Sequence, residues 1–469
     1  MNPEQPALEP TIIVIFGITG DLSQRYLLPA LYHLFKDDLL DEHTEIIGLT
    51  RQGLTAEELF GKVELCINEV DNVCDPVALK LIQTKTRLIQ FDPNISEDYD
   101  KLLSELNSTE ERHGLCMNRL YYLSIPPDVF ATVVHNMGTA GLNGSCQHGI
   151  ATTRLLVEKP FGSDLASAKE LITKTGEVFK EEQVFRIDHY LAKDAVQAML
   201  AFRLSCSNLA DAWNSHNIRQ IDIVANEKIG IEGRVNFYEG LGALRDLIQS
   251  HLLQLLALVS MELPHQSKDS NSLHAAKQAL LAAVAPADPS RAVRGQYTTY
   301  RQEVNNPESI TETYAKLQLQ INNQRWAGVP ITIATGKNLA KKRTEVTLTL
   351  ASGDSSTASS SFVFRIQPVS GIDLTATGDS NGFIASLKSA VTAYKSNHKF
   401  NSTSESNAYE RVLADAIRGD QSLFVSSEEV LLSWKILEPV VEAWQGNATG
   451  MQTYVNSSDG ASGSQNLLN

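Results

Sequence analysis

Residues 11–16, TIIVIF, form an unbroken apolar run, mostly β-branched, that stops at Gly17. So short a run, closed by a glycine, reads as a buried strand. Residues 22–36 follow as a predicted helix, with Leu27, Leu28, Leu31, Leu34 and Phe35 on one side. Pro29 falls early in it, where a missing backbone donor is tolerated. Apolar segments at Glu45–Thr50, Thr86–Phe91, Arg119–Ser124 and Thr153–Val157 then alternate with helical patterns. Alternation of this kind predicts a parallel sheet with helices on both faces.

The pattern changes after about residue 187. A helix at Ala195–Leu204 precedes a strand at Gln220–Ala225 and an apolar helix at Leu244–Met261. Strand-like segments follow at Ala315–Ile321, Glu345–Leu350 and Phe362–Gln367, the last two joined by GDSSTASSS (353–361), by composition a flexible hairpin loop. Helical patterns at Ala408–Ala416 and Ser427–Trp444 come next, and the polar tail beyond Gly446 is expected to be mobile. A chain of 469 residues suits two domains. The expected fold is therefore an α/β domain over residues 1–187, followed by an α+β domain over 188–469 with a large, mostly antiparallel sheet.

Charge narrows the partners. Lys and Arg number 40 against 55 Asp and Glu, a formal net charge of −15. This argues against a nucleic-acid or anionic-membrane surface, so any phosphate site must be a local cluster of Lys and His. The five cysteines, Cys66, Cys74, Cys116, Cys146 and Cys206, are odd in number and form no C-x-x-C, which suggests reduced thiols in a cytoplasmic protein and no zinc site. The N-terminal residues have no signal-peptide pattern, no run of 18 apolar residues spans a membrane, and no metal-ligand cluster is visible.

Four short stretches carry chemistry. Strand 11–16 runs into G-I-T-G-D-L (Gly17–Leu22), a glycine turn that lets backbone amides and a helix N-terminus approach a dinucleotide pyrophosphate. The second strand ends in Arg51 and Gln52, without the carboxylate that would hold the ribose 2′-hydroxyl of NAD; Arg51 suits a 2′-phosphate, hence NADP. A later strand ends in E-K-P-F-G (158–162), where Pro160 keeps Lys159 out of the helical region, at the ligand-binding end of such a sheet; the sequence leaves the Lys159–Pro160 bond open between cis and trans. In R-I-D-H-Y-L-A-K (186–193), Asp188 is expected to cap a helix starting near His189. His189 and Lys193, four apart, would then share a face and form a phosphate seat.

Together, these motifs and R-D-L-I-Q-S-H-L-L-Q (245–254) resemble the glucose-6-phosphate dehydrogenase family. The likeness continues in order through I-A-T-G-K-N-L-A-K-K (333–342), F-R-I-Q-P (364–368) and A-Y-E-R (408–411), covering about residues 11–445. It implies a Rossmann-like cofactor domain and a second domain for substrate and oligomerisation. By the resemblance, His251 is the general base toward the sugar C1 hydroxyl, and Asp188 pairs with it. His189, Tyr190, Lys193 and Lys342 hold the substrate phosphate, and Lys159, Glu227, Asp246 and Lys337 meet sugar hydroxyls. Gly17, Thr19, Gly20, Asp21, Leu22, Arg51 and Gln52 bind the cofactor, with Lys159 and Pro160 beside the nicotinamide. The implied coenzyme is NADP, with NAD possible as a second; no metal is required; and the assembly is a homodimer or homotetramer.

The chain also departs from the family pattern. Tyr26 stands where the family often has a lysine touching both ligands, Ala192 replaces the usual glycine, Gly53 occupies the place of a second basic residue, and N-F-Y-E (236–239) replaces Y-Y-D. Two other readings compete: a sugar or cyclitol oxidoreductase of the glucose–fructose oxidoreductase type acting on an unphosphorylated substrate, and a non-catalytic nucleotide-binding homologue.

Overall fold

Ile12, Ile13, Val14 and Ile15 have no exposed surface, because the strand they form, β1 (Thr11–Phe16), is paired on both edges and covered on both faces. The computed structural model describes residues 8–71, 73–146, 151–206, 209–264, 269–351, 360–376, 382–397 and 405–461. Around β1 stand β2 (Glu45–Thr50), β3 (Thr86–Gln90), β4 (Asn118–Leu123), β5 (Thr153–Val157) and β6 (Val184–Ile187). They run in the order β3-β2-β1-β4-β5-β6, all parallel, with a short antiparallel strand at Phe424–Val425 (β14 in chain order) closing the far edge. This is the doubly wound order, with its switch point between β1 and β4.

The unit built on this sheet takes the chain up to Gly162, then Lys169–Ala192, then a late segment ending at Ser427. The change of pattern at residue 187 predicts one boundary there; in the structure the helix Glu405–Arg418 instead returns to the first unit. Val412, Leu413, Ile417 and Phe424 join the same core as Ile13, Ile15, Leu31 and Phe185. The apolar stripe of that helix explains its return, but not which sheet it returns to.

The second unit holds Ser163–Ala168, the chain from Lys193 and everything from Glu428 onward. Its sheet contains β7 (Ile218–Asn226), β8 (Ala292–Tyr297), β9 (Tyr314–Leu319), β10 (Ile331–Gly336), β11 (Arg343–Leu350), β12 (Ser360–Gln367), β13 (Gly371–Thr375) and β15 (Met451–Tyr454). The order is β13-β12-β11-β7-β10-β9-β8-β15, antiparallel except at β7/β10 and β8/β15. Val346, Leu348, Leu350, Phe362, Phe364 and Ile366 alternate inward along β11 and β12. The helical segment Leu244–Ser260 packs on β7 and β10.

Several expectations change. The first helix opens with a π-helical turn, Ser23–Leu27, before Leu28–Lys36, so Pro29 lies past the first turn; the wider turn makes room for the ring and its missing donor. Asp188 caps no helix. The next one starts at Asp194, and residues 189–192 form turns, so His189 and Lys193 do not share a helical face. The described part of the tail, to Ala461, is structured: β15 adds to the sheet, while buried Arg294 donates to the carbonyls of Trp444, Asn447 and Thr449. Cys116 and Cys146 form a disulfide, correcting the expectation of reduced thiols throughout; sequence spacing could not reveal that β4's approach and the segment after the helix Pro127–Thr139 meet. Most of the expected hairpin loop, 353–359, lies outside the described residues. Among the described residues no helix is long and apolar enough to cross a membrane, and no group of three or more metal-ligating side chains is placed to hold a metal ion.

Candidate active site

In the first unit, chemistry gathers at the carboxyl ends of β1, β4 and β5. Gly17 has φ +77°, and a Cβ there would stand 2.3 Å from the Ser124 carbonyl oxygen after β4, so only glycine fits. Its carbonyl accepts from the Gly20 amide at 2.9 Å and the Ser23 hydroxyl at 3.0 Å, which folds the loop tightly against the helix start. Thr19 is held through its carbonyl by the Gln24 side-chain amide at 2.6 Å. Asp21 and Leu22 supply the first amides of the helix, which have no intrahelical acceptors. Asp21 also pairs with Arg25 on the exposed surface at 2.7 Å. The Ile18 amide donates to Leu49 at the end of β2, just before exposed Arg51 and Gln52. The described residues thus fit a dinucleotide: a glycine cradle, free first-turn amides and a guanidinium, with no carboxylate at the ribose position.

The E-K-P turn follows β5. The Lys159–Pro160 bond is cis. Glu158 accepts hydrogen bonds from the hydroxyls of Tyr122 and Tyr409. Burial pushes its carboxyl up to about 7 and Asp188 adds to the rise; the two hydroxyls and Lys159 oppose it. Asp188 is 1% exposed, directly after β6. Its Oδ1 accepts the Tyr190 amide at 3.0 Å, and its carbonyl accepts the Leu191 amide at 3.0 Å. This turn buries Tyr190, and the His189 and Tyr190 rings lie 5.2 Å apart. Tyr26, in place of the family's lysine, stacks on Tyr409 at 5.6 Å.

In the second unit, His251 is fully buried. It lies near the end of Leu244–Leu252, a π-helical stretch that bonds i to i+5, so Asp246 and His251, five apart, come into register along the axis. The Leu244 amide at the mouth of this stretch donates to Glu312 Oε1 at 3.0 Å, and Gly242, φ +76°, leaves the space that carboxylate fills. Burial raises the Glu312 carboxyl above the ordinary range, against the pull of its backbone hydrogen bonds. Lys337, 3% exposed, follows β10. Its ammonium bonds Glu227, lies 3.3 Å from Asp246, and stands 4.9 Å from the centre of the Tyr238 ring. The Glu227 amide donates to Gly336 and the Lys337 amide to Thr313, both at 2.8 Å, which pins the pair by main chain. Lys193 is buried at the residue before the helix Asp194–Ser205, and Lys342 is exposed just ahead of β11.

The structure therefore brings Lys337, Glu227 and Asp246 into one cluster, and sets Lys159 and Asp188 around Glu158. It describes Asp188 and His251 in separate units. Beyond the residues expected from the sequence, Glu158, Tyr122 and Tyr409 in the first unit and Tyr238 and Glu312 in the second join these clusters. Glu158 and Tyr409 lie inside quoted motifs, E-K-P and A-Y-E-R, which was the available signal; nothing local marks Glu312.

Comparison with known proteins decides the family. Residues 14–198 match the family profile described as "Glucose-6-phosphate dehydrogenase, NAD binding domain", and residues 200–469 match "Glucose-6-phosphate dehydrogenase, C-terminal domain". The chain belongs to the glucose-6-phosphate dehydrogenase family. It is 35% identical to the glucose-6-phosphate 1-dehydrogenase of Chlamydia muridarum, over 100% of this chain and 97% of the relative, and 33% identical to that of Rhizobium meliloti, over 100% and 98%. Among solved structures it resembles a glucose-6-phosphate dehydrogenase in complex with its substrate glucose-6-phosphate, with TM-score 0.85 and 30% identity over 98% of this chain and 97% of that one. The Mycobacterium avium enzyme gives TM-score 0.81 and 31% identity, again over 98% and 97%. In this glucose-6-phosphate dehydrogenase family member, both domains are thus present and the cofactor is a nicotinamide dinucleotide.

Proposed function

We propose that the chain oxidises the C1 hemiacetal of glucose 6-phosphate to 6-phosphogluconolactone and passes the hydride to NADP. The observation that carries this reading is full-length family membership in a chain whose His251 is wholly buried on the π-helical stretch. His251 takes the proton from the C1 hydroxyl as the C1–H bond breaks and the C1=O bond forms. Asp188, paired with that imidazole, orients it and stabilises its cationic form. The nicotinamide supplies the hydride acceptor. Lys337, Glu227, Asp246 and Lys159 hold sugar hydroxyls, while His189, Tyr190, Lys193 and Lys342 hold the phosphate.

On the cofactor side, Gly17, Thr19, Gly20, Asp21 and Leu22 seat the pyrophosphate, Arg51 and Gln52 the adenosine end, and Lys159 and Pro160 the nicotinamide end. The absence of a carboxylate after β2 supports NADP over NAD. The first unit serves as cofactor domain and the second as substrate domain, and the working assembly is a homodimer or homotetramer, to be measured by sedimentation.

Purified protein given glucose 6-phosphate with NADP, and separately with NAD, should form reduced nicotinamide faster with NADP. His251→Asn should lower kcat by about 10²–10⁴-fold with modest change in KM. No turnover of glucose 6-phosphate, or a near-normal kcat in the variant, overturns the proposal.

A further inference from the structure

The A-Y-E-R motif (408–411) belongs to no ligand set above, yet each of its polar side chains reaches a different part of the first unit. Glu410 Oε1 lies 2.6 Å from His33 Nδ1, on the helix behind the glycine loop. Arg411 donates to the Ala192 carbonyl at 2.7 Å, at the end of the R-I-D-H-Y-L-A stretch. Tyr409, 7% exposed, donates to Glu158 in the E-K-P turn and stacks on Tyr26, with 15° between the rings. A helix from late in the chain thus touches the glycine loop's helix, the turn carrying Lys159 and the turn after Asp188.

We propose that Tyr409 is a positioning residue for the reaction: through Glu158 it fixes the turn that carries Lys159, and through Tyr26 it ties that turn to the glycine-loop helix. The inference rests on the reading of Lys159 as a substrate and nicotinamide contact. Lys159 is next to Glu158 in the chain, so anchoring the Glu158 carboxylate restrains the backbone that carries Lys159. The groups facing that carboxylate are Tyr122 from β4, Tyr409 from the returning helix, Asp188 from the end of β6, and Lys159 itself. Two hydroxyl donors favour its charged form, while burial and Asp188 favour the neutral one. Tyr26 fits the same scheme: where the family's lysine would bring a charge, this chain brings a ring that backs Tyr409.

Tyr409→Phe removes the hydroxyl and keeps the ring and its stack. A hydrogen bond to a charged group corresponds to a change of about one pH unit in ionisation and about 10-fold in a rate that depends on it. Two readouts separate positioning from mere support. The first is the ionisation of Glu158, followed without substrate or cofactor by infrared pH titration, with Glu158→Gln subtracted as reference. Its midpoint should move upward by about one pH unit in Tyr409→Phe. The second is kinetic: kcat should fall about 10-fold with KM for glucose 6-phosphate little changed and melting temperature nearly preserved. Combining Tyr409→Phe with Glu158→Gln should add nothing to the effect of Glu158→Gln alone. An unmoved midpoint overturns the proposal whatever the activity, and so does additivity in the double variant, or a loss of melting temperature with kcat intact. A moved midpoint in a protein inactive on glucose 6-phosphate would instead count against the proposed reaction alone.

Discussion

The Lys337 ammonium lies 3.3 Å from the Asp246 carboxylate while also bonding Glu227, so one buried cation holds two acidic groups together. Removing the cation leaves the carboxylates facing each other. Lys337→Met should cost roughly 2–3 kcal/mol of stability, less than a fully buried pair because Glu227 is partly exposed. Urea denaturation measures this loss, and the same variant should raise KM for glucose 6-phosphate by about 10-fold or more. Stability equal to wild type would show that the cluster contributes nothing to folding.

Glu312 gives a pH signature. Its folded carboxyl titrates above its ordinary value of 4.5. The stability linked to its protonated form is therefore complete below that value and is lost as pH rises through the raised one. Glu312→Gln keeps an acceptor for the Leu244 amide and removes the titration. Its melting temperature relative to wild type should climb between pH 4.5 and pH 8; a difference independent of pH would contradict this.

Arg51 is the coenzyme selector to test. Arg51→Ala should weaken NADP binding by about 10- to 100-fold and leave NAD nearly unchanged, as measured by fluorescence titration. Equal losses for both coenzymes would place the arginine away from the 2′-phosphate.

The Cys116–Cys146 disulfide closes a loop with a sequence separation of 30. A cross-link of that span is worth about 3.5 kcal/mol through the unfolded chain. Cys116→Ser should lower the melting temperature, and dithiothreitol should lower it in wild type but not in the variant. A wild-type protein insensitive to reductant would argue that the pair carries no stability.

The first sheet was legible because its inner strands are covered on both faces, so Ile12–Ile15, Ile46–Ile47 and Leu155–Val157 stand out as unbroken apolar runs. The ligand motifs were legible because Gly17 and Pro160 impose backbone geometry that local sequence records. What the sequence hid depends on distant partners. The turn at Asp188 looks like a helix cap until β6 is seen to end at Ile187 and the helix to begin at Asp194. β15 hides in a polar tail because Arg294 and the Tyr454 hydroxyl, which bonds the Lys337 carbonyl at 2.7 Å, supply what its own composition lacks. Glu312 carries no local mark, since its partner Leu244 is far away in the chain.

The return of the helix Glu405–Arg418 to the first unit has a consequence for how the protein is made. The sheet nearest the N-terminus acquires its last strand, and the core its Val412, Leu413, Ile417 and Phe424, only after the second unit's strands through β13 have been translated. On the ribosome the first unit therefore begins to fold long before the chain that completes it, up to Ser427, has been made. A chain that stalls ahead of residue 405 would therefore carry an open sheet edge and an uncovered apolar face, and would depend on chaperones until translation resumes.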